Sequence, residues 1–372
     1  MDRDHEPLRC ILRGAPAPPP SSALTSRPVG SHRGSTPMRL SHPALALLLL
    51  GGCSSSSEGT AVDAGTPDRS TADVASQPDA GAPVDVAAPQ DVAAPVDAGA
   101  PADVSPAVAR LVAERPYRLV VPDDNDPRRA APLLILLHGY GASGSIQELY
   151  FHMARETNPR GILYAIPDGT LDVTMRRYWN ATDACCDFAR GGVDDVAYLD
   201  AIIDDVSSRY AVDPRRIFLL GHSNGGFMAH RMACERASRI AAVVSLAGAT
   251  FNDPTRCTPA EPVAVLQVHG TLDATIAYEG GSNIGSTYPS AVTSVSRWAG
   301  YDRCASAPTA GAMLDLDTSV LGAETLVSRY EGCTGGGAEL WTIQGGSHLP
   351  AISPRWPALT LDWLMAHPKA AR

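Results

Sequence analysis

A serine stands between two glycines at the end of an apolar run, where residues 221–225 read Gly-His-Ser-Asn-Gly. The apolar residues 217–220 predict a buried strand, and residues 226–233 have the composition of a helix. A strand that turns directly into a helix needs glycines beside the turn, because a Cβ atom there would clash. Such a turn lifts the hydroxyl of Ser223 above the sheet edge, at the positive end of the helix dipole. The pattern predicts a nucleophile, with an ordinary packed strand–helix loop as the alternative.

Two further residues provide the partners that a nucleophilic serine requires. Residues 263–268 predict a buried strand with Asp273 just beyond its end, and residues 341–343 predict another strand, followed by His348. The order Ser223, Asp273, His348 is that of α/β-hydrolases and differs from the orders in chymotrypsin and subtilisin. We therefore expect His348 to take the proton from Ser223. Asp273 would fix the tautomer of the imidazole and stabilise its cationic form.

A second glycine turn predicts the oxyanion hole. The apolar residues 133–137 run into His138-Gly139-Tyr140, and this turn is the usual source of one of the two donors. We expect the backbone N–H groups of Tyr140 and Asn224 to bind the developing negative charge. A phosphate-binding loop is disfavoured, because the Gly-Lys-Ser/Thr ending is missing.

Other histidines and acidic residues compete for functional roles. His138 and His222 are expected to be structural, His269 to be a packed loop residue, and His367 to lie in the C-terminal tail after the last helix. No pair among these histidines has metal-ligand spacing. Aspartates recur on the predicted helix 194–209, where solvated helix faces and pairing with the helix dipole are favoured over a metal site.

Several runs of the chain resemble one family of enzymes. They are residues 193–199, 212–217 and 221–235, together with 167–169, 179–180, 185–186, 269–273 and 278–281. The set resembles the secreted esterases called poly(3-hydroxybutyrate) depolymerases and the related feruloyl and acetylxylan esterases, over about residues 117–364. The resemblance implies the α/β-hydrolase fold and hydrolysis of carboxylic esters through an acyl-enzyme.

The residues beside the catalytic histidine depart from that family. A Trp-Pro pair usually follows the histidine shortly afterwards, whereas His348 is followed by Leu349 and Pro350. An aromatic wall of the acyl pocket would then be missing, and we expect short acyl groups to be preferred over bulky aromatic ones. Trp179 and Leu349 are the candidates for the substrate pocket.

The pattern of predicted elements favours a mostly parallel sheet with helices on both faces. Strands are predicted at 117–121, 133–138, 162–166, 216–220, 241–246, 263–268 and 338–343, and helices at 145–156, 194–209, 225–236, 290–299 and 355–366. Residues 279–337 are less regular and are interpreted as cap or substrate-facing loops.

The composition of the chain changes at about residue 107. Residues 54–106 contain nine acidic residues and one Arg but no aromatic residue, Leu, Ile or Cys. Such a segment cannot bury enough apolar surface to offset its chain entropy, so a disordered linker is predicted there. The catalytic domain is expected over residues 107–368. With a net charge of −10, the chain gives no reason to expect nucleic acid as a partner.

The N-terminal region carries an export pattern. Residues 38–53 are predicted to be a lipoprotein signal peptide, because the apolar stretch 44–50 is too short to span a bilayer and small residues precede Cys53. Cys53 would be the lipid anchor, with cleavage near Gly52 in a plain signal peptide as the alternative. Residues 1–37 are then interpreted as a non-functional extension.

Cysteine usage fits an exported chain. Six cysteines fall in the catalytic domain: Cys185, Cys186, Cys234, Cys257, Cys304 and Cys333. An even number in an exported chain predicts disulfides, with fifteen possible connectivities. Cys304 with Cys333 is the preferred pair, and zinc is disfavoured because no Cys-x-x-Cys occurs.

The sequence thus predicts an exported, lipid-anchored serine esterase without cofactor or metal. Its expected substrates are esters of extracellular polymers or oligomers, either polyhydroxyalkanoates or feruloyl and acetyl groups on plant polysaccharide. The alternatives are a non-catalytic surface binding protein on a hydrolase scaffold and a peptidase of the same fold.

Overall fold

The structure is a computed structural model that describes residues 104–371. The predictions for residues 1–37, for the signal peptide 38–53 with its anchor Cys53, and for residues 54–103 of the linker lie outside the described residues.

A nine-stranded sheet forms the centre of the described domain. Its strand order is β1-β3-β2-β6-β7-β8-β13-β12-β11. The strands from β3 to β13 in this order pair in parallel, and β1, β12 and β11 add antiparallel edges. The thirteen strands in residues 104–371 are β1 (Arg118–Val120), β2 (Ala131–Leu137), β3 (Leu163–Ile166), β4 (Thr170–Leu171), β5 (Arg177–Tyr178), β6 (Val212–His222), β7 (Ala242–Leu246), β8 (Ala264–Gly270), β9 (Gly281–Asn283), β10 (Ser286–Tyr288), β11 (Thr309–Ala310), β12 (Thr325–Tyr330) and β13 (Ala338–Ile343).

Seven α-helices accompany this sheet in the described range. They are α1 (Pro106–Glu114), α2 (Gly144–Phe151), α3 (Ala154–Thr157), α4 (Asp195–Arg209), α5 (Asn224–Glu235), α6 (Ala291–Tyr301) and α7 (Trp356–Met365). The helix predicted over 145–156 is divided in two, because His152 adopts a left-handed conformation with φ of 55° and ends α2. Helix α1 was not expected, although Ser105 caps it and Pro106 occupies its first turn. Within residues 104–371 no helix has the length and apolar character needed to cross a membrane.

The alternation of side chains along the central strands builds two cores. Along β2, Leu133, Ile135 and Leu137 pack with α4, α5 and α6, whereas Leu134 and Leu136 pack with α2 and α7. Successive side chains of a strand point to opposite faces, so a fully apolar strand requires a cover on both sides. The expected α/β architecture, a mostly parallel sheet covered on both faces, is confirmed.

Residues 279–337 differ from the expected cap or loops. The hairpin β9–β10 lies there, and α6 packs against β8 and β13. Strand β12 pairs with β13 over six residues, from Thr325 opposite Ile343 to Tyr330 opposite Ala338. Because β12 is half-exposed and its apolar residues are interspersed with polar ones, its sequence lacks the continuous apolar run of the central strands.

Candidate active site

The backbone around Ser223 forms the sharp turn that the glycines predict. Strand β6 ends at His222, α5 begins at Asn224, and Ser223 between them has φ of 55° and ψ of −119°. A Cβ atom on Gly221 would lie 2.1 Å from the carbonyl oxygen of Gly225, and one on Gly225 would lie 2.1 Å from that of Leu137. The turn therefore tolerates only glycine at both positions.

The structure brings together the three residues proposed to carry the chemistry. Ser223 Oγ lies 2.9 Å from His348 Nε2, and His348 Nδ1 lies 2.7 Å from Asp273 Oδ2. Ser223 is 9 % exposed, and the side chain of His348 is 16 % exposed. Because β6, β8 and β13 are parallel, the loops after their carboxyl ends meet at one edge of the sheet.

Asp273 is held by more donors than His348 alone. Its Oδ1 accepts hydrogen bonds of 2.8 Å from the backbone N–H groups of Thr275 and Ile276, and Nε2 of His269 lies 3.2 Å from its Oδ2. Burial works to raise the pKa of Asp273, but the hydrogen bonds from His269 and His348 outweigh it and hold the pKa well below its ordinary value. Asp273 is therefore an anion throughout the neutral range.

The candidate oxyanion donors lie on the two loops expected. Asn224 is the first residue of α5, and Tyr140 follows the turn after β2. The described residues provide no intramolecular acceptor for either backbone N–H group. The side chain of Tyr140 is fixed separately, because its hydroxyl donates to Asp172 Oδ2 at 2.5 Å and its ring contacts Phe188 edge-on at 5.4 Å.

Trp179 does not line a substrate pocket, and this candidate was wrong. Its side chain is completely buried, and its indole N–H donates to the carbonyl of His138 at 3.0 Å. Its own N–H and carbonyl bond the side-chain amide of Asn224 at 2.7 and 2.9 Å. The residue supports the two oxyanion loops from behind instead of meeting a ligand.

Leu349 lies beside His348 but leaves the site open. Its side chain is 61 % exposed. A residue so exposed does not form a closed wall in the free enzyme, and its role as a pocket residue stays a prediction.

The competing histidines have structural partners. His138 accepts a hydrogen bond from the N–H of Gly169, and His222 bonds the carbonyl of His348 at 2.9 Å. Burial is the main cause that lowers the pKa of both imidazoles to about 4, so both are neutral near pH 7. His269 is not the loop residue that we expected. It is the penultimate residue of the buried strand β8 and contacts Asp273.

All six cysteines of the domain are paired. Cys304 bonds Cys333, the pair preferred from the sequence, Cys234 at the end of α5 bonds Cys257, and the neighbours Cys185 and Cys186 bond each other.

The aspartates of α4 serve the fold. Asp194 caps the helix through the N–H of Ala197, and the buried Asp195 lies 2.7 Å from Arg115. Residues 104–371 contain no cluster of three acidic, histidine or cysteine side chains with the geometry of a metal site.

Taken together, this edge of the sheet holds a serine hydroxyl, an imidazole within hydrogen-bond distance and a fixed carboxylate. Two unpaired backbone N–H groups stand on the flanking loops. The sheet topology, the strand–turn–helix at Ser223 and the order of these groups define an α/β-hydrolase.

The comparisons with known proteins agree with this class. Residues 120–299 match the phospholipase/carboxylesterase family. The chain is 32 % identical over 232 residues to feruloyl esterase B of Piromyces equi, covering 59 % of this chain and 40 % of that protein. Feruloyl esterase D of Neurospora crassa is 27 % identical over 64 % of this chain and 74 % of its own length. Feruloyl esterase C of Emericella nidulans is 30 % identical over 47 % of this chain and 61 % of its own length.

A solved structure, the acetyl xylan esterase of Aspergillus awamori, aligns with a TM-score of 0.48 at 13 % identity, over 67 % of this chain and 93 % of that one. The chain spans about two fifths of feruloyl esterase B and about three fifths of feruloyl esterase C. The chain thus has the α/β-hydrolase fold, and its resemblance to feruloyl esterases is confirmed. The resemblance to poly(3-hydroxybutyrate) depolymerases stays a prediction.

Proposed function

We propose that the protein is an exported serine esterase that hydrolyses carboxylic esters through an acyl-enzyme, with Ser223 as the nucleophile. One observation carries the proposal: Ser223, His348 and Asp273 form a continuous hydrogen-bonded series with steps of 2.9 and 2.7 Å. A role other than catalysis would not explain why a buried Asp–His pair bonds a serine on a strained turn.

The first half of the reaction transfers the acyl group to the enzyme. His348 Nε2 takes the proton as Ser223 Oγ bonds the carbonyl carbon, and Asp273 stabilises the imidazolium that forms. The N–H groups of Tyr140 and Asn224 bind the oxyanion. The bond to the alcohol then breaks, and His348 returns the proton to the leaving oxygen.

The second half releases the acid. A water molecule gives a proton to His348 as its oxygen bonds the acyl carbon, and the bond to Ser223 Oγ breaks with the proton returned to the serine. The enzyme is restored without any cofactor, because every proton in the cycle is held by His348.

Feruloyl or related acyl esters on plant polysaccharide are the leading substrate class. The support comes from relatives that are named feruloyl esterases. The expected preference for short acyl groups rests on the missing aromatic residue after His348 and stays a prediction, with Leu349 61 % exposed in the free enzyme.

Polyhydroxyalkanoate is the second candidate, because apolar side chains are exposed on segments that follow strands ending at the edge of the sheet with Ser223. They include Leu149 on α2 at 72 %, Val173 between β4 and β5 at 89 % and Leu272 after β8 at 70 %. These segments follow the carboxyl ends of β2, β3 and β8, the edge that carries Ser223. Exposed apolar groups around a nucleophile suit a water-insoluble ester surface.

A panel of esters tests the reaction and the substrate class together. Methyl ferulate, nitrophenyl acetate, butyrate and octanoate, feruloylated arabinoxylan and powdered polyhydroxybutyrate would be incubated with the protein and with Ser223→Ala as control. Hydrolysis of feruloyl esters with the highest kcat/KM supports the leading class. If products are released fastest from polyhydroxybutyrate, polyhydroxyalkanoate becomes the favoured substrate class. An absence of Ser223-dependent turnover on every ester, together with no labelling by a fluorophosphonate, favours a binding protein on a hydrolase scaffold.

Location is a further part of the proposal. Three disulfides in the domain support an oxidising compartment. Cys53 would carry a lipid, and the predicted linker, up to the start of α1 at Pro106, would be the tether to the membrane. Cys53→Ser should release the activity from the membrane fraction or block maturation. Mass spectrometry that finds an unmodified mature N-terminus at another residue would remove the lipid anchor and leave a secreted enzyme.

A further inference from the structure

A series of buried polar side chains links α6 to the catalytic acid. Trp298 of α6, His230 of α5 and Gln267 and His269 of β8 are all 0–1 % exposed. Polar groups in such a core normally need a local reason, because an unpaired one costs about 1–3 kcal/mol. Here each side chain is bonded to the next, and the last one contacts Asp273.

The direction of this series is fixed at Trp298. An indole N–H can only donate, and it lies 2.9 Å from His230 Nδ1. His230 Nδ1 is therefore the acceptor, and the proton of the neutral ring resides on Nε2. Burial lowers the pKa of His230 to about 4, so the ring stays neutral. Its Nε2–H donates to Gln267 Oε1 at 2.9 Å.

Gln267 continues the series to His269. With Oε1 facing His230, the amide nitrogen of Gln267 donates to the carbonyl of Gly248 at 2.9 Å and faces His269 Nδ1 at 3.2 Å. The proton of His269 must then reside on Nε2. That N–H donates to the carbonyl of Ile276 at 2.8 Å, and Nε2 lies 3.2 Å from Asp273 Oδ2.

His269 thus acts on the carboxylate of Asp273 in two places. It contacts Oδ2, the same oxygen that accepts from His348. It also holds the carbonyl of Ile276, whose own N–H bonds Oδ1. A carboxylate whose two oxygens are both fixed keeps one rotamer and one direction toward His348.

We propose that His269, with its tautomer set by Trp298, His230 and Gln267, is a positioning residue for the catalytic acid Asp273. This inference rests on the proposed ester hydrolysis. The alternative is that the four side chains only satisfy one another and stabilise the fold. The two readings differ in what a substitution does to the base His348, which none of the three outer residues touches.

Few other titratable groups lie near Asp273 and His348, so a shift in the pH–activity profile can be assigned to these two residues. Besides His269 and His348, the neutral His222 lies with its ring 5.0 Å from that of His348. Tyr278 packs edge-on against His269, with the two ring centroids 5.7 Å apart. Burial raises the pKa of Tyr278, so its hydroxyl is uncharged near neutral pH.

The first test compares His269→Phe with His269→Gln. Phenylalanine removes both ring nitrogens, whereas glutamine retains an N–H at about the same reach. Loss of the Nε2–H group, which bonds the carbonyl of Ile276 and contacts Asp273 Oδ2, predicts a fall in kcat of about ten- to a hundredfold for His269→Phe, with KM unchanged. The acid limb of the kcat/KM profile, which reports protonation of the base, should move to higher pH because Asp273 loses a competing donor. His269→Gln should recover most of the activity and the original profile.

The second test acts from a distance and has a matched control. Trp298→Phe removes only the indole donor, which frees His230 to carry its proton on either nitrogen. Trp356→Phe is the control, because Trp356 is equally buried, packs on the opposite face of the sheet and has an indole N–H without a partner. Trp298→Phe should lower kcat about two- to tenfold and broaden or shift the pH profile. Trp356→Phe should change stability alone.

The outcomes separate this inference from the proposed function. Melting temperature and circular dichroism establish that each variant is folded, and an NMR titration of the His348 Nδ1 proton gives a second readout that does not need turnover. If His269→Phe and Trp298→Phe are folded and keep the kcat, the pH profile and the His348 resonance of the unmodified enzyme, the series is only structural. If the unmodified enzyme itself neither hydrolyses esters nor reacts with a fluorophosphonate, the proposed function fails first.

Discussion

The two halves of the candidate active site are held in place by different physical means. On the nucleophile side, backbone geometry sets the position of Ser223, since its φ is 55° and the flanking glycines have no room for a Cβ atom. On the acid–base side, hydrogen bonds set the position of Asp273 and through it of His348. The first half is fixed by short-range sterics, and the second by side chains from several elements.

This difference predicts two kinds of response to substitution. An atom added to a sterically filled turn either fits or clashes. Substitutions on the nucleophile side should therefore have large effects that do not depend on pH. Hydrogen bonds to a carboxylate are graded and depend on protonation, so changes on the acid side should be partial and dependent on pH.

The largest effect should come from the nucleophile itself. Ser223→Ala should lower kcat by about 10⁶, leaving only substrate binding and the oxyanion hole. Steady-state hydrolysis of the best ester in the panel measures it, with melting temperature as the control for folding. Turnover comparable to the unmodified enzyme would mean that another group attacks the ester.

The next effect should come from the acid. Asp273→Asn should lower kcat on the order of 10⁴ near neutral pH, because an amide favours the wrong tautomer of His348. Asp253→Asn is a matched control, since Asp253 likewise accepts the N–H two residues ahead but is exposed.

The charge of Asp273 also affects how the free energy of unfolding depends on pH. Because the folded-state pKa of Asp273 is lowered, its contribution to the free energy of unfolding is present above about pH 4 and declines as the pH falls further. The stability difference between the unmodified protein and Asp273→Asn should therefore shrink in acid. A difference that is constant with pH would contradict the assignment of Asp273 as the charged member of the pair.

The glycine at the start of α5 tests the steric half. Gly225→Ala should destabilise the protein by about 3 kcal/mol or more, because its Cβ would overlap the backbone of β2. Gly300→Ala in α6 is the control, since nothing lies within 4 Å of the added atom and alanine favours a helix by about 0.5–1 kcal/mol. Urea denaturation measures both. A Gly225→Ala variant as stable as Gly300→Ala would show that the turn is not sterically fixed.

The smallest effect should come from Leu349, which borders His348 without enclosing the acyl group. Leu349→Trp should raise kcat/KM for feruloyl esters relative to acetyl esters by about three- to tenfold, because the indole offers a stacking surface. Leu326→Trp on β12 is the control. An unchanged ratio would mean that Leu349 lies outside the acyl pocket.

The same contrast explains what the sequence could predict. The elbow at Ser223 and the apolar strands β2, β6 and β8 are encoded by neighbouring residues, so a local pattern identifies them. The order Ser223, Asp273, His348 followed from placing each residue after a predicted strand.

Contacts between residues far apart in the chain could not be predicted from local sequence patterns. Trp179 was expected in the pocket, but its burial depends on contacts with His138 and Asn224, 41 and 45 residues away. Strand β12 lies between β13 and the two-residue edge strand β11, and its half-exposed pattern resembles a loop. The role of His269 had one local signal, because Gln267 and His269 place two polar side chains on the same face of an otherwise apolar strand.

The central claim is that Ser223 carries the acyl group during turnover, and trapping that intermediate tests it most directly. The enzyme would be mixed with a slowly hydrolysed aromatic ester, quenched in acid during the burst phase and digested for peptide mass spectrometry. The account predicts one acyl adduct on the peptide containing Ser223, absent from Ser223→Ala and accumulating with the amplitude of the burst. An adduct on another residue, or full turnover with no adduct at Ser223, would contradict the account.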